Sequence, residues 1–144
     1  MDQSVPGHTL APRVLRIVVV EDSLDAVHTT ALLLRELGHT VDYATNGFVA
    51  LDVVRRFRPD FVLCDLGLPG ANGFDVCNQI KADPELRGVR VFALTAYSDH
   101  NSRQKARDVG FDGYYVKPLL PEALADLFGD PRAGQAPKSL PHPP

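Results

Sequence analysis

Five polar residues whose side chains suit phosphate chemistry each lie at the end of a short apolar run. Three carry carboxylates, one a hydroxyl and one an ammonium group. Clustered carboxylates attract hard divalent cations, and an ammonium or hydroxyl group can hold a phosphate oxygen. Together they would serve phosphoryl chemistry if the fold brought them to one place. The five residues are Glu21, Asp22, Asp65, Thr95 and Lys117.

The runs that precede these residues have the pattern of buried parallel strands. They are short, rich in β-branched residues, and alternate with stretches whose apolar residues recur at helical spacing. In an open parallel sheet the carboxyl ends of the strands line the crevice where ligands bind. The sequence therefore predicts that the five side chains converge at that edge. The predicted strands cover residues 15–20, 41–44, 61–64, 89–94 and 114–116.

Five helices are predicted between and after these strands. The first ends at Gly38 and the second is stopped by Pro59. Alternating strand–helix units with right-handed crossovers predict an α/β fold, a doubly wound (βα)5 unit with a five-stranded parallel sheet. By analogy with the flavodoxin-like group, we expect the strand order 2-1-3-4-5. The predicted helices cover about residues 24–37, 50–57, 74–81, 98–109 and 121–128.

Composition fits one cytoplasmic domain. The chain has 144 residues and a formal net charge of -3, which is unlike the basic footprint of a nucleic-acid binder. It has no apolar stretch of the roughly 18–20 residues that a membrane span needs. We expect no secretory signal, because residues 1–12 lack a hydrophobic core region. Cys64 and Cys77 are expected to be buried free thiols. We expect a flexible tail at 1–13, a domain at 14–128 and a flexible Pro-rich tail at 129–144.

The three carboxylates predict a divalent cation site. Glu21, Asp22 and Asp65 at neighbouring strand ends would repel one another in a crevice. Mg²⁺ would relieve this repulsion, because it takes hard oxygen ligands from one or two carboxylates and accepts phosphate oxygens. The alternative is that such acids only cap the next helix, and Asp22-Ser23 does precede one.

Lys117 and Thr95 extend this prediction to a phosphoryl group on Asp65. Carboxylates can act as nucleophiles that form acyl phosphates, and the transfer depends mainly on neutralising charge. The lysine and the hydroxyl would each hold a phosphate oxygen. Lys117-Pro118 also suggests a fixed loop, with a cis peptide bond as one option.

These motifs together resemble a receiver domain of the response regulators in two-component signalling, similar to the chemotaxis receivers. The resemblance covers about residues 14–128 and is that of a stand-alone, single-domain response regulator. It implies a phosphoprotein and signalling switch rather than an enzyme, with self-phosphorylation and autodephosphorylation as its only reactions. The matching segments are residues 18–22, Asp65 after its strand, 68–70 with 72–74, 94–96 and 113–118.

The resemblance implies a role for each site residue. Asp65 would accept a phosphoryl group from a phosphohistidine on a sensor histidine kinase or a histidine phosphotransfer protein. Asp22 and Asp65 would bind Mg²⁺ directly, the backbone carbonyl of Gly67 would be a third ligand, and Glu21 would act through a water. The remaining two residues of the set, Lys117 and Thr95, would contact the phosphate.

The resemblance also implies a switch for a downstream target protein. Tyr114, three places before the lysine, would change rotamer as Thr95 moves toward the phosphate; the alternative is a plain strand aromatic packed on a helix. Tyr115 alternates to the opposite face and is expected in the core. Gly67 and Tyr97, each two places after a site residue, would tune hydrolysis in opposing directions, so the lifetime of the phosphorylated state is not predicted.

Glu21 stands where the family most often has aspartate, and metal binding should survive because the charge is kept. The histidines lack metal-ligand spacing and are all expected on the surface: His8, His28, His39, His100 and His142. The cations Arg103, Lys105 and Arg107 on the fourth helix are expected to form a solvated face or, as the less favoured option, to meet an acidic partner.

Three other functions are less compatible with the sequence. A haloacid-dehalogenase-like phosphatase also uses a strand-end aspartate with Mg²⁺, but it normally needs a second aspartate where Gly67 lies. A flavodoxin needs amide and hydroxyl donors where Glu21-Asp22 provides acids. A receiver-fold scaffold that is never phosphorylated would not need the full set of Asp22, Asp65, Thr95 and Lys117. Partners are thus expected to be proteins, with no nucleic acid and no membrane.

Overall fold

A five-stranded parallel sheet forms the centre of the protein, in the order β2-β1-β3-β4-β5. The computed structural model describes residues 11–68, 72–96 and 99–137. The predicted fold class and strand order are confirmed. The strands are β1 (Arg16–Val20), β2 (Thr40–Ala44), β3 (Phe61–Asp65), β4 (Arg90–Thr95) and β5 (Gly113–Val116).

Helices cover both faces of this sheet, so the interior of each central strand is apolar. In β1, Val18 and Val20 pack into the cluster beneath α2 and α3. Ile17 and Val19 alternate to the other face and pack beneath α1 and α5. None of the helices in the described ranges is long and apolar enough to cross a membrane. The helices are α1 (Leu24–Glu36), α2 (Gly47–Phe57), α3 (Gly73–Ala82), α4 (His100–Val109) and α5 (Pro121–Phe128), with short 3-10 turns at Pro84–Leu86 and Pro131–Ala133.

Side-chain caps fix where the helices nearest the carboxyl edge begin. Ser23 caps α1 and Asn72 caps α3, each by accepting a hydrogen bond from a backbone N–H in the first turn. The start of α3 also requires a glycine, because a Cβ at Gly73 would clash with the backbone oxygen of Asp65. This close approach holds α3 directly against the end of β3. Residue 98, the predicted start of α4, lies outside the described residues, and the helix begins at His100 with Asp99 as its cap.

Residues 129–137 fold back onto the domain, so the prediction of a flexible tail from residue 129 is wrong for this part. Asp130 and Gln135 form a small antiparallel bridge. Arg132 Nη1 donates to the carbonyl of Glu36 at 2.9 Å, and Gln135 Nε2 donates to the carbonyl of Ala125 at 3.3 Å. Hydrogen bonds rather than a large apolar surface hold this segment, which is why composition did not reveal it. Residues 1–10 and 138–144 lie outside the described residues, and the remaining domain boundaries stay predictions.

His39 is buried, with 4% of its surface exposed, which corrects its predicted surface position. The backbone N–H of Leu15 donates to Nδ1 at 3.0 Å, and Nε2 lies 2.9 Å from the carbonyl oxygen of Gly129. Both bonds form only when the ring is neutral and protonated at Nε2. The ring thereby joins the entry to β1 with the exit from α5. Of the other histidines, His28 and His100 are exposed as predicted, and His8 and His142 lie outside the described residues.

Both cysteines are buried and free, as predicted. Burial raises the pKa of Cys64 well above its ordinary value and raises that of Cys77 to about 12. Both thiols therefore behave as core side chains.

We expect His39 to make stability depend on pH below neutrality. Burial lowers its pKa in the folded protein, so the unfolded chain binds the proton first as the pH falls. Its stabilising contribution is therefore complete above the unfolded pKa, near 6.5, and is lost as the pH drops below that value, with a slope of at most about 1.4 kcal/mol per pH unit. The free energy of unfolding, measured with urea between pH 5 and 7.5, should fall less steeply with decreasing pH in His39→Gln than in the parent. The exposed-site control His28→Gln should keep the parent's pH dependence. An unchanged pH dependence in His39→Gln would contradict this role.

Candidate functional site

The strand ends bring the predicted site residues to one edge of the sheet. Asp65 ends β3 and Thr95 ends β4, its immediate neighbour in the sheet. Glu21 directly follows β1, which pairs with the other side of β3. Lys117 follows β5, and its backbone N–H donates to the carbonyl of Thr95 at 2.8 Å. The sheet order alone therefore places these groups around Asp65.

Lys117 forms ion pairs with two acids at this edge. Its Nζ lies 2.6 Å from Glu21 Oε1 and 2.9 Å from Asp65 Oδ2. The lysine side chain is 29% exposed, whereas the carboxylate side chains are only 6% and 9% exposed. One ammonium group thus compensates two nearly buried charges. The peptide bond from Lys117 to Pro118 is cis, the option that the sequence suggested.

The second oxygen of Asp65 is held by the loop that follows it. The backbone N–H of Gly67 donates to Asp65 Oδ1 at 3.0 Å. The carboxylate is therefore fixed through both oxygens, one to this amide and one to Lys117. Gly67 itself is exposed. The role of its carbonyl as a metal ligand stays a prediction.

Glu21, Asp22 and Asp65 form a group of acids whose ligand oxygens all lie within 4.8 Å of one another. Asp22 is exposed, and the other two are buried. An all-oxygen donor set beside open solvent suits Mg²⁺, which keeps several of its waters. Glu21 also uses both of its oxygens within the protein, since Oε1 accepts from Lys117 and Oε2 accepts from the backbone N–H of Ser23 at 3.3 Å. This bonding fits the lesser, water-mediated metal role expected for Glu21.

The same contacts set the protonation behaviour of the pair. Burial raises the pKa of Glu21, although the Lys117 hydrogen bond acts in the opposite direction. For Lys117, burial disfavours the charged form, but hydrogen bonds to Glu21 and Asp65 outweigh it and raise its pKa. The lysine is therefore firmly cationic. A cation of this kind beside Asp65 can hold an anionic phosphoryl group as well as it holds the carboxylates.

The two tyrosines of β5 lie on opposite sides, as predicted. Tyr115 packs against the core, as expected, but is only half-buried. Its ring lies edge-on to Phe92 with the centroids 5.7 Å apart. Tyr114 is half-buried, and the guanidinium of Arg103 lies over its ring, 4.7 Å from the centroid. Thr95 is buried at the end of its strand. Tyr97 lies outside the described residues.

Sequence reasoning missed a cavity of about 410 Å³ beside Lys117. It lies between α1 and the loop that leads into α5, and its lining is mostly apolar. The spacing of Ala26, Thr29 and Leu33 places them on one face of α1. The sequence does not show that the loop after β5 leaves this face uncovered. The cavity lining includes Ala26, Thr29, Leu33, Pro118 and Leu119.

The fold and this edge together define a class of doubly wound α/β proteins that carry an acid–lysine site at the carboxyl ends of their strands. The chain belongs to the response regulator receiver domain family, whose model matches residues 17–128.

Relatives and solved structures agree with this assignment. The DNA-binding response regulator MtrA of Mycobacterium leprae (strain TN) is 39% identical over 109 residues, which are 76% of this chain and 47% of MtrA. The chain thus spans about half the length of this relative. The polar-differentiation response regulator DivK of Brucella anthropi is 33% identical over 79% of this chain and 96% of DivK. The structure of the Vibrio cholerae chemotaxis protein CheY4 has a TM-score of 0.74 and 25% identity, and covers 78% of this chain and 93% of CheY4.

We expect Lys117→Met to destabilise the protein in metal-free buffer. The change leaves two nearly buried carboxylates without their counterion, a loss of up to about 3 kcal/mol in the free energy of unfolding given the partly exposed lysine. Urea unfolding should show this loss, and the double variant Glu21→Gln/Lys117→Met should recover part of it. Lys105→Met, on the exposed side of α4, serves as the control and should change stability little. Equal effects of both lysine changes would contradict the argument.

Proposed function

We propose that this protein is a phosphorylatable switch in a two-component phosphorelay. Asp65 accepts a phosphoryl group from a phosphohistidine of a sensor histidine kinase or a histidine phosphotransfer protein. The observation that carries the proposal is the 2.9 Å contact between Lys117 Nζ and Asp65 Oδ2 beside the cluster of three acids. Family membership supports the same conclusion.

The transfer is a single displacement at phosphorus. A carboxylate oxygen of Asp65 forms the new O–P bond, the N–P bond breaks, and the histidine nitrogen leaves with the bonding electrons. Asp22, Asp65 and the carbonyl of Gly67 would hold Mg²⁺, with Glu21 acting through a water. When bound, the ion neutralises charge on the phosphoryl oxygens. Lys117 then exchanges a carboxylate oxygen for a phosphoryl oxygen, and Thr95 donates its hydroxyl to another.

The output is a change at a protein-binding surface. Movement of Thr95 toward the phosphate opens space for Tyr114 and so alters the surface formed by α4, β5 and α5. We propose a protein target in the cytoplasm rather than nucleic acid, because the net charge of -3 offers no basic footprint. Although MtrA is a DNA-binding regulator, this chain aligns with less than half of its length.

Phosphorylation on Asp65 is the first test. Incubation with Mg²⁺ and acetyl phosphate, or with a phosphorylated phosphotransfer protein, should add one phosphoryl group, measured by mass spectrometry of the intact protein. Asp65→Asn should abolish this addition because the amide cannot act as the nucleophile. Asp52→Asn, on the exposed side of α2, should leave it unchanged. Undiminished labelling of Asp65→Asn would contradict the proposal. Turnover of varied phosphomonoesters would instead indicate a phosphatase, and Mg²⁺ binding without phosphorylation by any donor would indicate a scaffold.

Metal binding should separate the roles of the acids and the lysine. Asp22→Asn should weaken Mg²⁺ binding roughly tenfold or more, because it removes the charge of a direct ligand. Lys117→Ala should leave Mg²⁺ binding largely intact but uncouple phosphorylation from the change at Tyr114. Calorimetric titration measures the first effect, and NMR of the tyrosine rings the second. A Lys117→Ala variant that switches normally would show that the lysine does not carry the coupling.

A further inference from the structure

A cation of α4 is stacked on the tyrosine that the proposed switch would move. The guanidinium carbon of Arg103 lies 4.7 Å from the ring centroid of Tyr114, within the distance at which a cation is attracted to an aromatic face. Arg103 is exposed and Tyr114 is half-buried. The contact therefore joins the outer surface of the helix to the strand beneath it.

The local structure fixes both ends of this contact. Asp99 caps α4 through Ser102, whose backbone N–H donates to Asp99 Oδ1 at 2.8 Å, and the backbone N–H of Arg103 donates to the carbonyl of Asp99 at 3.1 Å. On β5, Tyr114 is in register with Ala93 of β4. Arg103 thus leaves the anchored first turn of a helix and reaches a ring held by the sheet.

A cavity of about 240 Å³ lies along the same seam between α4 and β5. Arg103 and Tyr114 both line it, together with Ala106 and Phe111. The tyrosine ring therefore borders a cavity on this side. The stacked guanidinium is a specific contact of the ring beside that cavity.

The other cations of α4 make different contacts. Lys105 Nζ lies 4.5 Å from the ring centroid of Phe74 on α3, and Arg107 Nη1 lies 3.5 Å from Gln104 Oε1 of its own helix. The three exposed cations of α4 therefore each contact a different neighbour. Arg103 has the position that bears on the switch, and Lys105 provides a matched control on the same helix.

We propose that Arg103 is a positioning residue that holds the Tyr114 ring against α4 and biases the switch toward the unphosphorylated arrangement. This inference rests on the proposed function, because it names an element of its regulation. A restraint shifts an equilibrium only if it interacts differently with the two states. The stack meets that condition, since a ring that moves toward Thr95 leaves the guanidinium. An exposed cation–π contact corresponds to roughly a two- to fivefold bias.

The first experiment measures the ring in the unphosphorylated protein. Three-bond couplings of the Tyr114 β-protons report its χ1 populations, with the signals assigned through Tyr114→Phe. Arg103→Gln should raise the minor rotamer roughly two- to fivefold. Arg103→Lys should restore most of the parent's distribution because it keeps the cation, and Lys105→Gln should not change it. An unchanged distribution in Arg103→Gln, or an equal change in Lys105→Gln, would overturn the proposal.

The second experiment measures coupling to the phosphoryl site, with beryllofluoride and Mg²⁺ as the phosphoryl mimic. If the switched state is the minor one, removal of the restraint should lower the half-saturating beryllofluoride concentration of Arg103→Gln by the same two- to fivefold factor. Lys105→Gln should bind like the parent. A changed rotamer distribution with unchanged binding would overturn the regulatory role of Arg103. If the parent neither binds the mimic nor accepts a phosphoryl group, the proposed function itself fails, whereas the rotamer measurement still tests the restraint on Tyr114.

Discussion

The rest of the site depends on one ammonium group that neutralises two nearly buried carboxylates. Burial of an unpaired carboxylate is costly, so Glu21 and Asp65 can face the same crevice only because Lys117 lies between them. Asp22, the third acid of the cluster, is exposed at the rim of the site. A charge balance of this kind holds the acids close together at one edge of the sheet.

The sheet supplies the geometry for this balance. Lys117 and Asp65 are 52 positions apart in the chain, yet the parallel strands β3 and β5, on either side of β4, end at the same edge and bring them into contact. Local details complete the alignment. The absence of a side chain at Gly73 lets α3 approach the end of β3, and the amide of Gly67 fixes the carboxylate oxygen that faces away from the lysine.

Much of this arrangement could be predicted from sequence because it follows from periodicity. Apolar runs fixed the strands, and the parallel order then brought Asp65 and Lys117 together. The contacts of His39 could not be predicted, because its partners are backbone groups of Leu15 and Gly129 whose positions depend on the loops. The contact of Arg103 with Tyr114 could not be predicted either. The sequence of a helix as polar as α4 does not indicate which of its cations contacts the sheet.

The folded segment at residues 129–137 has a consequence for access to the protein. Its bonds run to Glu36 and His39, which lie at the amino-terminal edge of the sheet, beyond the starts of the strands. Strands of five residues separate that base from the acidic edge by about 16 Å, at roughly 3.3 Å per residue. A tether or fluorescent dye attached to this segment would therefore leave the mouth of the pocket clear for an incoming protein.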